Sequence, residues 1–164
     1  MESFNGERGR GRGNRLKVTL EKTISFMKTA HEGQTDKGGN PYWEHPLSVM
    51  CMFGPNASLA EKQAALLHDV IEDTDYSEND LLTYGFERDA VDAVVIVSRD
   101  PKSDLTYMDW IRYIANSGNM LAIKVKYFDL IHNSLPWRIQ ILPEREKEIL
   151  KRYKEAKKIL KNLL

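Results

Sequence analysis

The segment ALLHDVIEDT, residues 65–74, constrains the fold more than any other part of the chain, because it sets four ionisable side chains among apolar ones. His68 and Asp69 are adjacent, and the acidic pair Glu72 and Asp73 follows four positions later. On a helix, a spacing of four returns to nearly the same face. Burying such a cluster is costly unless a cation or charged partners compensate it. The sequence therefore predicts a helix that carries a compensated polar centre, with a metal ion as the simplest compensation.

Imidazole and carboxylate are ligands that Mn, Fe, Co and Zn accept, so His68 and Asp69 suit an intermediate divalent metal. Two further candidate ligands stand elsewhere, His45 in PYWEHP and Asp129 in VKYFDLIHN. Asp129 follows an apolar run, which leaves two interpretations: a pairing with a lysine such as Lys126, or use as a metal ligand. The residues alone do not decide between them.

Apolar residues recur at helical spacing along most of the remaining chain, and glycine, proline and asparagine separate the apolar runs. The run VDAVVIVS, residues 91–98, is the one place where a strand fits equally well. We therefore predict an all-α fold, a helical bundle. The predicted helices cover about 15–31, a segment starting near 45, then 59–74, 77–83, 87–97, 105–115, 119–133 and a terminal segment after 143.

The terminal helix is amphipathic, since Ile149, Tyr153, Ala156 and Leu160 recur at alternating steps of four and three. Two interpretations are open, docking on the domain's own core and pairing of two chains in a coiled coil. The short repeat favours docking, and a homodimer remains the alternative.

A length of 164 residues with 41% apolar residues suits one domain with its own core, which we place at residues 15–164. Residues 1–14 are basic and glycine-rich, which predicts a disordered, flexible tail. Cys51 is the single cysteine, and no apolar stretch reaches the roughly 20 residues that span a bilayer. These features predict a cytoplasmic protein with no membrane partner.

The charges balance, because lysine plus arginine and aspartate plus glutamate each number 24. The chain as a whole therefore has no general attraction for a polyanion, and any phosphate must be bound locally. The Arg-Gly steps of residues 8–13 lack interleaved aromatic residues. We expect no nucleic-acid partner.

Three segments, GQTDKGGNPYWEHPLSV, ALLHDVIEDT and VKYFDLIHN, occur in the same order as in the hydrolase domain of the RelA/SpoT family. Over about residues 16–135 the chain resembles this family, and it is most similar to the short, free-standing small alarmone hydrolases. The resemblance implies an HD-domain helical bundle. It also implies an enzyme of the stringent response that converts ppGpp or pppGpp to GDP or GTP plus pyrophosphate, and that only degrades these nucleotides.

The resemblance further implies a metal centre built from four side chains in three segments. His31 and His132 match family histidines that are not ligands, and we expect them to form structural hydrogen bonds. The matching ligands, for which Mn²⁺ is the usual ion, are His45, His68, Asp69 and Asp129.

Catalytic and substrate-binding residues follow from the same match. Glu72 and Asp73 match the pair that positions the water attacking the proximal phosphorus of the 3′-pyrophosphate. Lys37 and Asn133 match positions close to the bound nucleotide, although Lys37 also suits a solvated loop lysine and Asn133 a helix cap. Tyr42 either stacks on the base or closes its loop.

Departures from the family leave the exact nucleotide open. Asp36 stands where the long members often have a basic residue, and Leu130 and Leu135 stand where they have arginines, although Leu130 agrees with the short relatives. One alternative is a related HD hydrolase that acts on ppApp-type nucleotides or on 5′-nucleotides. The other is a non-catalytic nucleotide-binding sensor or antitoxin-like partner, against which the presence of both Glu72 and Asp73 argues.

Overall fold

The computed structural model describes residues 17–164, and in that range the chain is helical with no strand, which confirms the all-α prediction. The predicted tail, residues 1–14, lies outside the described residues. No helix of the described range is long and apolar enough to cross a membrane. The α-helices are α1 (Leu20–Ala30), α2 (Glu44–Met52), α3 (Leu59–Leu67), α4 (Val70–Asp73), α5 (Glu78–Tyr84), α6 (Arg88–Val97), α7 (Tyr107–Asn116), α8 (Met120–Asn133), α9 (Pro136–Gln140) and α10 (Ile149–Lys161), with a 3-10 helix at Glu144–Glu146 before α10.

Side-chain caps fix where several helices begin. Thr19 accepts from the Lys22 amide, so α1 begins at Leu20, later than the predicted start near residue 15. Ser58 caps α3, and Glu61 completes a reciprocal capping box with it. Each of these caps satisfies amide groups that the first helical turn leaves without partners.

The ambiguous run 91–98 is helical and belongs to α6. Val91 and Val94 face a cluster of buried residues that includes Phe26 of α1. Ala90 and Val97 face the main core, the larger buried cluster around Ile111 and Leu130. A helix buried on two faces is apolar nearly all round, which is why its sequence suits a strand equally well.

Helix α8 lies at the centre of the bundle, where it packs against α2, α3, α6, α7 and α10. Helix α10 packs on α7 and α8 and fully buries Ala156 and Leu160 in the main core. The amphipathic terminal helix therefore docks on the core of its own chain, which is the first of the two interpretations given above.

The continuous helix predicted through residue 74 is wrong, because α3 ends at Leu67 and α4 begins at Val70. His68 and Asp69 form the junction between the two helices. The two junction side chains lie close together, with His68 Nε2 3.0 Å from Asp69 Oδ2. The short helix α9 was not predicted.

Candidate metal centre

Four side chains from α2, the α3–α4 junction and α8 meet at one point. His45 Nε2 lies 3.1 Å from Asp129 Oδ1 and 3.3 Å from His68 Nε2. His68 Nε2 lies 3.0 Å from Asp69 Oδ2. Donor atoms of His45, His68 and Asp129 all lie within 4.8 Å of one another. Asp69 lies beside this group of three, with Oδ2 3.6 Å from His45 Nε2. The structure thus brings the four predicted ligands together, from segments far apart in the sequence.

The far side of each imidazole is already occupied, which leaves both Nε2 atoms facing the centre. His68 Nδ1 lies 2.7 Å from the carbonyl oxygen of Ala65, and since a carbonyl only accepts, Nδ1 donates. His45 Nδ1 lies 2.7 Å from His132 Nδ1, so one of these two nitrogens donates to the other. A neutral imidazole that donates through Nδ1 offers the Nε2 lone pair, the form that binds a metal. The donor set therefore fits a divalent cation.

The candidate metal centre holds several ionisable side chains that are largely buried. Burial opposes ionisation throughout, but the Asp69 and Asp129 carboxylates raise the pKa of His68 well above its ordinary value. Against the same burial, His68 and His45 lower the pKa of Asp69, and Lys126 with the two imidazoles lowers the pKa of Asp129. The lowered pKa values favour ionised carboxylates, the form that binds a metal, while the raised pKa of His68 means that a bound cation must displace the proton of this imidazole.

Both oxygens of Asp129 have partners on α8 itself. Lys126 Nζ donates to Oδ2 at 2.7 Å, and Asn133 Nδ2 donates to Oδ1 at 2.6 Å. The Lys126 ammonium also lies 4.3 Å from the centre of the buried Trp110 ring. The two interpretations of Asp129 are therefore compatible, because one oxygen pairs with lysine while the other faces the imidazoles.

The acidic pair of α4 lies on the open side of the centre. Both side chains reach solvent, yet partial desolvation by the surrounding protein raises the pKa of Glu72 and of Asp73. Glu72 Oε2 accepts the backbone N–H of Arg99 at 2.9 Å. A cavity of about 410 Å³ is lined by Glu72, Asp73, Arg99 and Pro101. Both acids are therefore accessible to water.

The three predicted substrate residues differ in their distance from the centre. Tyr42 lies within it, because its hydroxyl donates to Asp69 Oδ2 at 2.6 Å. Burial and the neighbouring Asp69 raise the pKa of Tyr42, so it keeps its proton. Asn133 contacts the ligand Asp129, whereas Lys37 is half exposed and pairs with Glu146 near the start of α10.

The predicted structural histidines have different settings. His132 lies behind His45, and burial lowers the pKa of His132 to about 4, so it stays neutral and can accept from His45. His31 Nδ1 lies 2.9 Å from Gln34 Oε1, and Gln34 in turn donates to the carbonyl of Asp73 at 2.9 Å.

Two polar contributors escaped the sequence analysis, namely Arg138 of α9 and the role of Asp36. Arg138 Nη1 donates to Asp36 Oδ2 at 3.2 Å, and Nη2 donates to Asn133 Oδ1 at 2.9 Å. Asp36 was noted only as a departure from the family. No signal in the sequence indicates Arg138, because α9 is too short to show a period.

Comparison with known proteins gives two kinds of relatives, although no family model matches the chain. The guanosine-3′,5′-bis(diphosphate) 3′-pyrophosphohydrolase of Vibrio cholerae is 44% identical over 63 residues, which are 38% of this chain and 9% of that protein. The GTP pyrophosphokinase of Streptomyces coelicolor is 27% identical over 158 residues, or 88% of this chain and 16% of that protein. The chain thus spans a small part of the length of these relatives.

A solved structure of a metazoan ortholog of SpoT, a protein that hydrolyses ppGpp, has a TM-score of 0.72 to this chain at 22% identity. The match covers 88% of this chain and 86% of that one. The resemblance to the RelA/SpoT hydrolases is confirmed. The match shows that this chain shares the fold of that protein. The ligand and catalytic roles of individual residues stay predictions.

Proposed function

We propose that this chain is a divalent-metal-dependent hydrolase that removes the 3′-pyrophosphate from alarmone nucleotides such as ppGpp and pppGpp. The observation that carries the proposal is the convergence of two imidazoles and two carboxylates beside the acids Glu72 and Asp73. The similarity to proteins named for ppGpp hydrolysis supports the substrate class. The free, exposed Cys51 is consistent with a cytoplasmic location.

The metal, which we propose to be Mn²⁺, would be held by His45, His68, Asp69 and Asp129. A mixed set of nitrogen and oxygen donors suits an ion of this kind better than Mg²⁺ or Ca²⁺, which prefer oxygen ligands. When bound, the ion supplies an acidified water and a positive charge facing the phosphates. The buried Lys126 adds a further positive charge next to the centre.

Glu72 and Asp73 have the position and the protonation behaviour of general bases. Their raised pKa values make them better proton acceptors than ordinary carboxylates, and the Arg99 amide fixes one oxygen of Glu72. Water attacks the phosphorus that is bonded to the ribose 3′ oxygen, and the bond between these two atoms breaks. Pyrophosphate leaves with the oxygen of the water, while the 3′ oxygen takes up a proton and becomes the hydroxyl of GDP or GTP.

Substrate contacts are proposed for Tyr42, Asn133 and Lys37. Tyr42 and Asn133 each donate to a carboxylate ligand, so they border the place where the 3′-phosphates would lie. Lys37 must exchange its partner Glu146 for a phosphate oxygen, which its exposed position allows.

The decisive experiment incubates the protein with ppGpp, ppApp, GTP and 5′-nucleoside monophosphates, with Mn²⁺ and with a chelator. We expect pyrophosphate and GDP from ppGpp with Mn²⁺ and no product with the chelator. Orthophosphate from 5′-nucleotides together with intact ppGpp and ppApp would refute the alarmone assignment. Nucleotide binding without any product would instead favour a sensor.

A further inference from the structure

The segment between α1 and α2, residues 31–43, is connected to the centre and its neighbouring residues in three places. Tyr42 donates to Asp69, and Gln34 donates to the backbone carbonyl of Asp73. The third contact is indirect and leads from Asp36 through Arg138 to Asn133. We name residues 31–43 the bridging loop.

Asp36 is the structural pivot of the bridging loop. Its Oδ1 accepts the backbone amides of Gly38 at 2.8 Å and Asn40 at 2.9 Å, which closes a tight turn. Its side chain is only 7% exposed, and Oδ2 accepts from Arg138. The loop also lies close against α9, because a Cβ on Gly38 would stand 3.2 Å from the Ile141 side chain. Asp36 thus serves as a fixed anchor for the Arg138 guanidinium.

The Arg138 guanidinium determines which way the Asn133 amide points. An amide offers an oxygen that accepts and a nitrogen that donates, whereas a guanidinium only donates. Because Arg138 Nη2 occupies Asn133 Oδ1, the donating Nδ2 must face Asp129 Oδ1, which it reaches at 2.6 Å. In the flipped orientation, two oxygens would face each other across that gap.

The orientation matters because Asp129 Oδ1 is the atom that lies nearest His45 Nε2, at 3.1 Å. With Asn133 on Oδ1 and Lys126 on Oδ2, the carboxylate is held on both sides. We propose that Arg138 is a positioning residue for the metal centre, acting through Asn133 on Asp129, and that its pairing with Asp36 couples the centre to the bridging loop. This inference rests on the proposed metal site, and it does not depend on which nucleotide is hydrolysed.

The first test measures Mn²⁺ affinity by isothermal titration calorimetry and by electron paramagnetic resonance, without nucleotide. Arg138→Gln should weaken Mn²⁺ binding by about 10-fold or more, the scale found for partners that orient metal ligands. The matched control is Arg112→Gln, because Arg112 is exposed and pairs with Asp109 on its own helix, α7. Unchanged affinity in a folded Arg138→Gln protein would overturn the proposal.

A double-mutant cycle separates positioning from general stability. If Arg138 acts through Asn133, Arg138→Gln should weaken Mn²⁺ binding much less in an Asn133→Ala background than in the wild-type protein. Fully additive losses would show that Arg138 acts by another route and would overturn the proposal.

Arg138→Lys keeps a cation beside Asp36 but lacks a planar fork that holds two partners at once. We expect near-wild-type thermal unfolding but weakened Mn²⁺ binding, together with faster amide exchange in the bridging loop. Wild-type affinity in this variant would overturn the proposal. If ppGpp is not a substrate and these affinity changes still occur, the proposed function fails while the positioning role stands.

Discussion

The two sides of the candidate metal centre differ in how completely their side chains are held. On the α2 and α8 side, His45 and Asp129 are 2% and 4% exposed, and their outward atoms contact His132 and Lys126. On the α4 side, Glu72 and Asp73 reach solvent and border a cavity of about 410 Å³. We therefore expect the closed side to hold a charge and the open side to admit water and substrate.

The difference teaches where binding and chemistry can be separated. A change on the closed side removes a ligand or leaves a buried charge without its partner, so it should alter metal content and stability. A change on the open side leaves the ligands in place, so it should alter rate alone.

The broadest expected effect, on metal content, stability and rate together, is on the closed side, in Asp129→Ala. Loss of this carboxylate removes one ligand and leaves Lys126 without its partner, so bound Mn²⁺ should fall below one-tenth of the wild-type content, a loss of about 10-fold or more by analogy with ligand-supporting residues. Hydrolysis should fall with it. Metal analysis of the purified protein measures the content, with the exposed Asp109→Ala as the control. Full metal content in Asp129→Ala would remove this residue from the ligand set.

On the open side, Asp73→Asn should keep wild-type metal content and lose about 100-fold to 10,000-fold in rate, the usual scale of acid–base catalysis. Glu72→Gln should behave in the same way. The control is Asp75→Asn, an exposed carboxylate two residues further along the chain. Full activity in Asp73→Asn would show that this carboxylate takes no part in the reaction.

Lys126→Met tests whether the closed side holds its charge by itself. Without the ammonium, Asp129 is buried with one oxygen unpaired, so the metal-free protein should lose about 3 kcal/mol of unfolding free energy. Saturating Mn²⁺ should recover part of the loss. Chemical denaturation with and without Mn²⁺ measures both values, with Lys124→Met as the control because Lys124, which lies on the same helix, is 42% exposed and pairs with Glu61 instead of a member of the centre. Equal losses with and without metal would contradict the idea that the ion and the lysine share this charge.

The smallest effect concerns Asp36, which lies on neither side but connects them. Burial alone would raise its pKa, but the bonds from Asn40 and Gly38 and the Arg138 charge lower the pKa of Asp36 below its ordinary value. A lowered pKa stabilises the fold above the unfolded value of about 3.9, and this stability is lost as the pH falls through the folded value. Asp36→Asn should therefore lose less stability than wild type between pH 5 and pH 3, in denaturation series at each pH. A steeper loss in the variant would contradict this assignment.

Much of the fold could be predicted because short sequence patterns indicate where helices begin and which of their faces are buried. Ser58 with Glu61 is a capping signature, and the amphipathic spacing of the last segment places Ala156 and Leu160 in the core. The interruption at His68 and Asp69 could not be predicted, since nothing in ALLHDVIEDT breaks a helix by propensity. The interruption depends on how α3 and α4 pack against the rest of the bundle, which the local sequence does not reveal.

The candidate site was predictable in the same uneven way. The four ligand candidates stand in segments that resemble a known family, so their convergence could be expected. Arg138 could not be found, because its contacts with Asp36 and Asn133 span 102 and 5 residues and follow no periodic pattern. The sequence left open whether Asp129 pairs with Lys126 or binds a metal. Only the three-dimensional structure could show that one oxygen of Asp129 pairs with Lys126 while the other faces the imidazoles.

The contact between His45 and His132 links the protonation of the His132 ring to metal binding at His45. When the Nε2 lone pair of His45 binds an ion, Nδ1 of His45 must carry the proton, and His132 is left with its own proton on Nε2, a buried atom with no hydrogen-bond partner among the described residues. Nitrogen chemical shifts of the His132 ring, recorded with a diamagnetic divalent ion, would therefore register occupancy from behind the site, where no nucleotide interferes with the signal.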